Sequence, residues 1–175
     1  HWDESGIIYC FSRKQVDSLT QKLLDAGYSA LNYHGGLSDE ERKDHQNKFI
    51  RDQVQIMVAT LAFGMGINKP NVRFVIHNDL PKSLEQYYQE IGRAGRDGLP
   101  CEALLLFSRG DMFKIRHFFS DSSDPQKSEN LLQSMIFYAS SDVCRRKSLL
   151  AYFGEKYEPL QKDDFFCYVC SSKDR

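Results

Sequence analysis

Short apolar runs alternate with helix-capping pairs along the first 110 residues, and this alternation limits the chain to few folds. The apolar runs, which predict strands, span residues 6–11, 28–33, 55–60, 72–77 and 102–107. Between them stand three pairs of Ser with Gln or Glu three residues later, at positions 12 and 15, 38 and 41, and 83 and 86. Each pair is typical of a capping box and predicts the start of a helix. We expect these helices to end at Gly27, near Ile50 and near the glycines at 92 and 95.

Apolar strands that alternate with helices predict an α/β fold, in which a mostly parallel sheet is covered by helices on both faces. Ligands of such sheets bind beyond the carboxyl ends of the strands. This rule directs attention to Ser12, to residues 34–36, to residues 60–66 and to the end of the third helix.

The composition changes after Gly110, where no further strand is predicted. Asp124-Pro125 is typical of a helix start, and aromatic residues recur beyond it at roughly helical spacing. We therefore predict two units, residues 1–110 as an α/β domain and residues 111–175 as a small helical module.

The charge is balanced in both units, with 13 basic and 14 acidic residues up to Gly110 and 10 of each after it. Binding to nucleic acid must therefore use a local patch, because the surface as a whole is not basic. Hydrophobic residues make up 41% of the chain, and no apolar stretch approaches the ~18 residues of a membrane helix. With no signal-peptide pattern at the start, we expect a soluble intracellular protein.

Residues 89–98, here called the arginine segment, carry the densest chemical signal. Arg93 and Arg96 are three positions apart and would share one helix face if the third helix persists. A guanidinium can donate two hydrogen bonds at once to phosphate oxygens, so the pair suits charge stabilisation during phosphoryl transfer. The alternative is a solvated arginine face, which is the more common role of two arginines at this spacing.

Three strand ends offer groups that suit a DNA phosphate, which positions a strand without reading its sequence. Thr60 opens the segment 59–70, in which Gly-Met-Gly taken alone indicates only a turn. Ser12 and Gly36 each precede a predicted helix, whose N-terminal amides attract phosphate. His34 is equally compatible with a locally bonded turn histidine and with direct DNA contact.

Segments 89–98 and 59–70 resemble the sixth and fifth motifs of superfamily 2 helicases. With residues 87–90, 144–146 and 152–155 they resemble the RecQ family of DNA helicases along nearly the whole chain. The resemblance implies a second RecA-like lobe followed by a zinc-binding module. It also implies an ATP-dependent motor that moves 3′ to 5′ along single-stranded DNA and acts in recombination, repair or replication.

The same resemblance assigns roles to individual residues. Arg96 would be the arginine finger, Arg93 would support the nucleotide phosphates, and Gln89 would help to couple them to DNA. Asn68 stands where many superfamily 2 helicases carry an aspartate near the ribose, and its amide can still donate and accept hydrogen bonds. The residues expected along the DNA, here called the track residues, are Ser12, Arg13, His34, Gly36 and Thr60.

The 175 residues contain neither Gly-x-x-x-x-Gly-Lys-Ser/Thr nor Asp-Glu-x-His, the motifs that hold ATP and Mg²⁺. We expect a first lobe to supply them as a partner, and the chain by itself to be inactive. One alternative is a non-catalytic module that binds or anneals nucleic acid, and another is a zinc-stabilised protein-interaction domain. Intact Arg93 and Arg96 favour the motor.

Five cysteines, three of them near the C-terminus, favour a metal site over a disulfide framework. The RecQ resemblance implies four ligands to a structural Zn²⁺, of which Cys144, Cys167 and Cys170 match the first, third and fourth. The second falls at Asp164, a chemically permitted but unusual ligand. Asp163, water or a lost metal are the alternatives. Arg145 and Arg146 are expected to form structural salt bridges in preference to contacting DNA.

Overall fold

A computed structural model of the protein describes residues 3–61, 63, 67–119, 123–158 and 167–173. The strands are β1 Ser5–Tyr9, β2 Ala30–Tyr33, β3 Ile56–Ala59, β4 Val72–His77 and β5 Glu102–Leu105. The helices are α1 Arg13–Asp25, α2 Asp39–Ile50, α3 Leu84–Ile91, α4 Arg109–Phe119, α5 Pro125–Ser140, α6 Arg145–Tyr152 and α7 Tyr168–Lys173. None of these helices combines the length and the apolar character that crossing a membrane requires.

All five strands form one parallel sheet in the order β2-β3-β1-β4-β5. The central strand β1 is buried along its whole length, and so is its neighbour β3. Strand β5 lies at the edge and is mostly exposed. The predicted α/β fold is therefore confirmed, since parallel strands need a crossover between them and α1, α2 and α3 provide crossovers.

Two apolar clusters cover the two faces of the sheet, because successive side chains of a strand point to opposite sides. Ile7 lies in the cluster that includes Phe49 of α2, and Ile91 of α3 packs against it. Ile8 lies in the other cluster, which includes Val16 of α1. Both faces are thus packed against helices, as the apolar strands predicted.

The capping pairs at Ser12 and Ser38 form complete capping boxes, as predicted. The pair at Ser83 forms only half of one. Its hydroxyl accepts a hydrogen bond from the Gln86 amide at 3.2 Å, but the Gln86 side-chain oxygen accepts from the Lys82 amide instead of returning to Ser83.

Helix α3 ends at Ile91 with Gly92 as its C-cap, close to the predicted end, so the condition under which Arg93 and Arg96 would share a helix face is not met. The end of α3 lies at the carboxyl end of β4, where Glu90 bonds to His77, but the arginine segment then runs toward the amino ends of the strands. The Gly95 amide donates to the Val72 carbonyl at 3.0 Å, at the first residue of β4. A connection between two parallel strands must return to their amino ends, and the arginine segment makes this return.

The C-terminal part is helical, as predicted, and shares a core with α3. Leu84 and Tyr87 of α3 pack with Ile115, Leu132 and Met135 from α4 and α5. Helix α4 begins at Arg109. The domain boundary near residue 110 stays a prediction, because this shared core joins the two units.

Asp79, two residues beyond β4, joins several elements through hydrogen bonds to its buried carboxylate. It accepts from the Phe11 amide at 3.2 Å, from the Gln15 side chain at 2.9 Å and from Asn78 at 3.0 Å. Lys114 of α4 approaches it at 3.5 Å. One carboxylate therefore ties the ends of β1 and β4 to α1 and to the helical module.

We predict that Asp79→Asn lowers the free energy of unfolding by about 1–3 kcal/mol, because buried donors lose a charged acceptor. Thermal or denaturant unfolding of the chain measures this change. Asp44→Asn is the matched control, since Asp44 is exposed and its ion pair with Lys48 lies within α2. An equal effect of the two substitutions would contradict the role given to Asp79.

The pH dependence of this difference follows from the pKa of Asp79. Burial alone raises that pKa, but hydrogen bonds from Gln15, Asn78 and the Phe11 amide outweigh it and hold the pKa below its ordinary value. A lowered folded-state pKa gives stability that is present above the unfolded value of about 3.9 and is lost as the pH falls through the folded value. The stability gap between wild type and Asp79→Asn should therefore be widest near neutral pH and shrink below about pH 4.

Candidate functional site

The track residues lie where β1, β2 and β3 end, at the carboxyl edge of the sheet. Ser12 follows β1 and caps α1, and Arg13 is the first residue of that helix. His34 and Gly36 follow β2, and Thr60 follows β3. The Thr60 amide donates to the Tyr33 carbonyl at 3.1 Å, which brings the last two strand ends together.

The hydroxyl of Ser12 is engaged within its own cap. It accepts from the Gln15 amide at 3.3 Å and donates to the Gln15 side-chain oxygen at 3.0 Å. Arg13 is exposed, and its side chain runs over the turn at Gly35 and Gly36. A Cβ at Gly36 would lie 3.3 Å from the Arg13 Cδ and 3.1 Å from the His34 Nδ1, so the turn packs closely against both.

His34 is buried, with only 6% of its surface exposed, and both ring nitrogens have local partners. The Gly36 amide donates to Nδ1 at 3.1 Å, so Nδ1 is the acceptor and Nε2 carries the proton. Nε2 lies 2.9 Å from the Asp17 carboxylate. These contacts support the locally bonded alternative, in which His34 shapes the glycine turn, and its direct contact with DNA stays a prediction.

Arg96 and Asn68, both expected at the nucleotide, are hydrogen-bonded to each other. The Arg96 Nη1 lies 3.3 Å from the Asn68 side-chain oxygen and 3.0 Å from the Ile67 carbonyl. Its Nε donates to the Gly92 carbonyl at 3.3 Å. Arg96 is exposed, so its guanidinium is held in a defined place while remaining open to solvent.

Arg93 is half-buried beside Tyr9, and its Nε has no hydrogen-bond partner among the described residues. Burial of Tyr9 raises its pKa, the Glu90 carboxylate raises it further, and Arg93 opposes both. The Tyr9 hydroxyl donates to the Phe63 carbonyl at 3.2 Å. Arg93 therefore has an unused donor close to the end of β1. Gln89 is exposed on the last turn of α3.

A buried pair, His77 and Glu90, fixes the end of α3 against the end of β4. The His77 Nε2 lies 2.6 Å from the Glu90 carboxylate, and both side chains are almost fully buried. Gln86 donates to the second Glu90 oxygen at 3.1 Å. The pair sets the position from which the arginine segment begins.

Lys69 was not identified from the sequence as a site residue, yet it fixes the end of segment 59–70. Its side chain is 1% exposed and bonds to Asp52, which also accepts from Asn71 at 3.1 Å. The Lys69 ammonium lies 5.2 Å from the centre of the Phe49 ring. A lysine in a loop gives no sequence signal of such burial, because its partners come from a distant turn.

Three cysteines of the helical module form a cluster. The sulfur atoms of Cys144, Cys167 and Cys170 all lie within 4.8 Å of one another. Four ligands 2.3 Å from a tetrahedral zinc would lie about 3.8 Å apart, so this spacing fits the ion after a small contraction. Asp164 and its neighbour Asp163 lie outside the described residues, so the fourth ligand stays a prediction.

The protein around Cys167 favours its thiolate, the form that binds zinc. Burial raises the pKa of the Cys167 thiol, but hydrogen bonds from the amides of Arg145, Cys170 and Val169 outweigh burial and leave the pKa below its ordinary value. The Arg145 amide lies 3.1 Å from the sulfur.

The expected salt bridge of Arg145 with an acidic residue is replaced by bonds to main-chain carbonyls. Its guanidinium donates to the carbonyls of Tyr138 and Ala139 in the last turn of α5. A cation suits this place because helix carbonyls are unpaired at a C-terminus.

Two protein families match the chain. Residues 1–98 match the helicase conserved C-terminal domain, and residues 109–172 match the RecQ zinc-binding domain. The ATP-dependent DNA helicase RecQ of Pasteurella multocida is 50% identical over 171 residues, which cover 95% of this chain and 26% of that protein. The protein of the same name from Bacillus subtilis is 46% identical over 87% of this chain and 26% of its own length. The chain thus spans about a quarter of these relatives.

Solved structures with a related fold include a DEAD box protein from Methanococcus jannaschii, with a TM-score of 0.58 and 26% identity over 76% of this chain and 34% of that one. The E. coli DEAD-box protein SrmB gives a TM-score of 0.57 and 27% identity, over 63% of this chain and 65% of that one. The likeness agrees with the RecA-like lobe that the sequence predicted. The chain belongs to the RecQ helicase family, of which it carries the conserved helicase C-terminal domain and the RecQ zinc-binding domain.

Proposed function

We propose that the chain is the second motor lobe and zinc module of an ATP-dependent DNA helicase that moves 3′ to 5′. In this proposal the track residues hold single-stranded DNA, and the arginine segment completes an ATP site that a first lobe supplies. Unwinding of duplex junctions in recombination, repair or replication is the proposed role, in the nucleus of a eukaryote or the nucleoid of a bacterium.

The observation that carries the proposal is the placement of the two ends of segment 59–70, both of which the structure describes. Thr60 lies at the carboxyl edge of the sheet among the track residues, and Asn68 bonds to Arg96. One short segment therefore contacts both the proposed DNA path and the proposed nucleotide site.

ATP and Mg²⁺ enter this proposal only together with the first lobe. Arg96 would place positive charge on the phosphoryl group in transfer, Arg93 would bind the nucleotide phosphates, Asn68 would approach the ribose, and Gln89 would link the nucleotide to DNA. The pure 175-residue chain should show no ATP turnover above buffer. Measurable turnover would refute the proposed division of the site.

A second candidate is a module that binds or anneals nucleic acid without driving it. The absence of the phosphate-binding motifs from the 175 residues favours it. The presence of both Arg93 and Arg96 favours the motor, since a module that only binds nucleic acid has little need of this pair.

For the helical module we propose a structural Zn²⁺ held by Cys144, Cys167, Cys170 and Asp164. Such a module buries little apolar surface, so a metal that joins α7 to the start of α6 would supply part of its stability. The cysteine cluster and the match to the RecQ zinc-binding domain support this assignment.

Arg96→Ala in a protein that contains both lobes should lower DNA-stimulated ATP turnover by about 10³–10⁵-fold, the range for an arginine finger. Affinity for single-stranded DNA should be unchanged, because Arg96 lies away from the track residues. Steady-state ATPase and fluorescence anisotropy measure the two quantities. Survival of turnover would show that another residue is the finger.

Arg13→Ala should weaken binding of single-stranded DNA and reduce the salt dependence of that binding by about one phosphate contact. Arg51→Ala is the matched control. Arg51 is also an exposed arginine, but it follows the last residue of α2, whereas Arg13 is the first residue of α1, so the two lie toward opposite edges of the sheet. Binding measured over a range of salt concentrations separates the two. Equal salt slopes for both variants would place the track elsewhere.

Cys167→Ser should abolish bound zinc and lower the melting temperature of the helical module, and Asp164→Ala should reduce zinc content. Cys101→Ser is the control, since Cys101 is a free cysteine outside the cluster. Metal analysis by mass spectrometry before and after chelation reports occupancy. Full zinc in Asp164→Ala would remove that residue from the site.

A further inference from the structure

Arg73, the second residue of β4, belongs to none of the motifs that the sequence singled out, yet its side chain makes an unusual number of bonds. Its Nη2 lies 2.6 and 2.7 Å from the two carboxylate oxygens of Asp97 and 3.2 Å from the Pro70 carbonyl. Nη1 donates to the Pro100 carbonyl at 3.1 Å, and Nε to the Asn71 carbonyl at 3.3 Å.

These bonds join two loops that lead to the proposed nucleotide site. Pro70 is the last residue of segment 59–70 and Asn71 follows it, whereas Asp97 belongs to the arginine segment and Pro100 lies two residues beyond it. The side chain of Arg73 is 13% exposed and that of Asp97 is 24% exposed, so the pair is partly screened from water. The hydrogen bond from Arg73 holds the pKa of Asp97 below its ordinary value, which keeps the carboxylate charged.

We propose that Arg73 and Asp97 are a positioning pair that sets the direction of Arg96, an inference that rests on the proposed function of Arg96 as the finger. Neither residue of the pair touches the nucleotide. Asp97 directly follows Arg96 along the chain, so fixing Asp97 fixes the backbone from which the finger projects.

The loop needs such support because of its own composition. Gly95 and Gly98 both adopt positive φ angles, of 66° and 78°, a region that glycine enters easily. Glycines on both sides of Arg96 would leave its backbone many conformations, and ordering them costs free energy. The hydrogen bond from the Gly95 amide to the Val72 carbonyl holds the backbone before Arg96. The hydrogen bond from Arg73 to Asp97 holds the backbone after it.

An arginine is required for this task because its planar fork can donate in several directions at once. Lysine at position 73 keeps the charge but presents a single nitrogen, which cannot reach Asp97, Pro100 and Asn71 together. Arg73→Lys should therefore keep only part of the positioning that Arg73 provides.

The test uses the two-lobed helicase with ATP and single-stranded DNA. Arg73→Gln should lower kcat for ATP by about 10²-fold, the loss typical of a misplaced catalytic group, with little change in KM or in DNA affinity. Arg73→Lys and Asp97→Asn should give intermediate losses. If Arg73→Gln unfolds below the temperature of the assay, Arg73→Lys and Asp97→Asn serve as the test instead. A positioning role then requires that each lowers kcat and leaves KM nearly unchanged.

Arg116→Gln is the matched control, because Arg116 forms a similar forked ion pair with Glu129 between α4 and α5, away from the arginine segment. It should leave kcat unchanged. In a protein that already carries Arg96→Lys, Arg73→Gln should lower kcat by a smaller factor than it does in the wild type, because Arg73 acts through the side chain at position 96.

Two results separate the inference from the function on which it rests. An unchanged kcat in Arg73→Gln, alongside a large loss in Arg96→Ala, would overturn the positioning role and leave the finger intact. Full turnover in Arg96→Ala would overturn the finger itself.

Discussion

Strand β1 lies between β3 and β4 and pairs with both in the parallel sense. Parallel pairing forces the chain to return to the amino edge of the sheet after every strand. The track residues follow strands, and the arginine segment follows α3. Because of this one constraint the arginine segment runs from the carboxyl end of β4, where Glu90 bonds to His77, to its amino end, where Gly95 bonds to Val72, and so leads away from the track residues.

Polar side chains buried between elements hold that geometry in place. Asp79 ties the ends of β1 and β4 to α1 and α4, His77 and Glu90 fix the end of α3, and Lys69 anchors segment 59–70. Each of these groups is bonded, as burial of a charge requires. The motor proposal uses their rigidity, because an arginine finger acts best when the backbone that carries it is held in place.

The sequence predicted the strands and helices well where local chemistry decides them, as in the capping boxes at Ser12 and Ser38. The sequence was less informative where contacts between distant segments determine the structure. The spacing of Arg93 and Arg96 allowed a shared helix face, but α3 ends at Ile91 and tertiary contacts place the two arginines in a loop. Arg73 gave no signal at all, since a charged residue in a strand reveals its partners only when two distant loops meet beside it.

The measurement that tests the account most directly is a structure of the two-lobed protein with ADP, beryllium fluoride and single-stranded DNA. The account predicts that the Arg96 guanidinium leaves the Ile67 carbonyl and lies within about 3 Å of a fluoride, the distance of a hydrogen bond. It also predicts that Arg73 keeps its bonds to Asp97. A guanidinium that stays on Ile67 and Asn68 while another residue meets the fluoride would contradict the account.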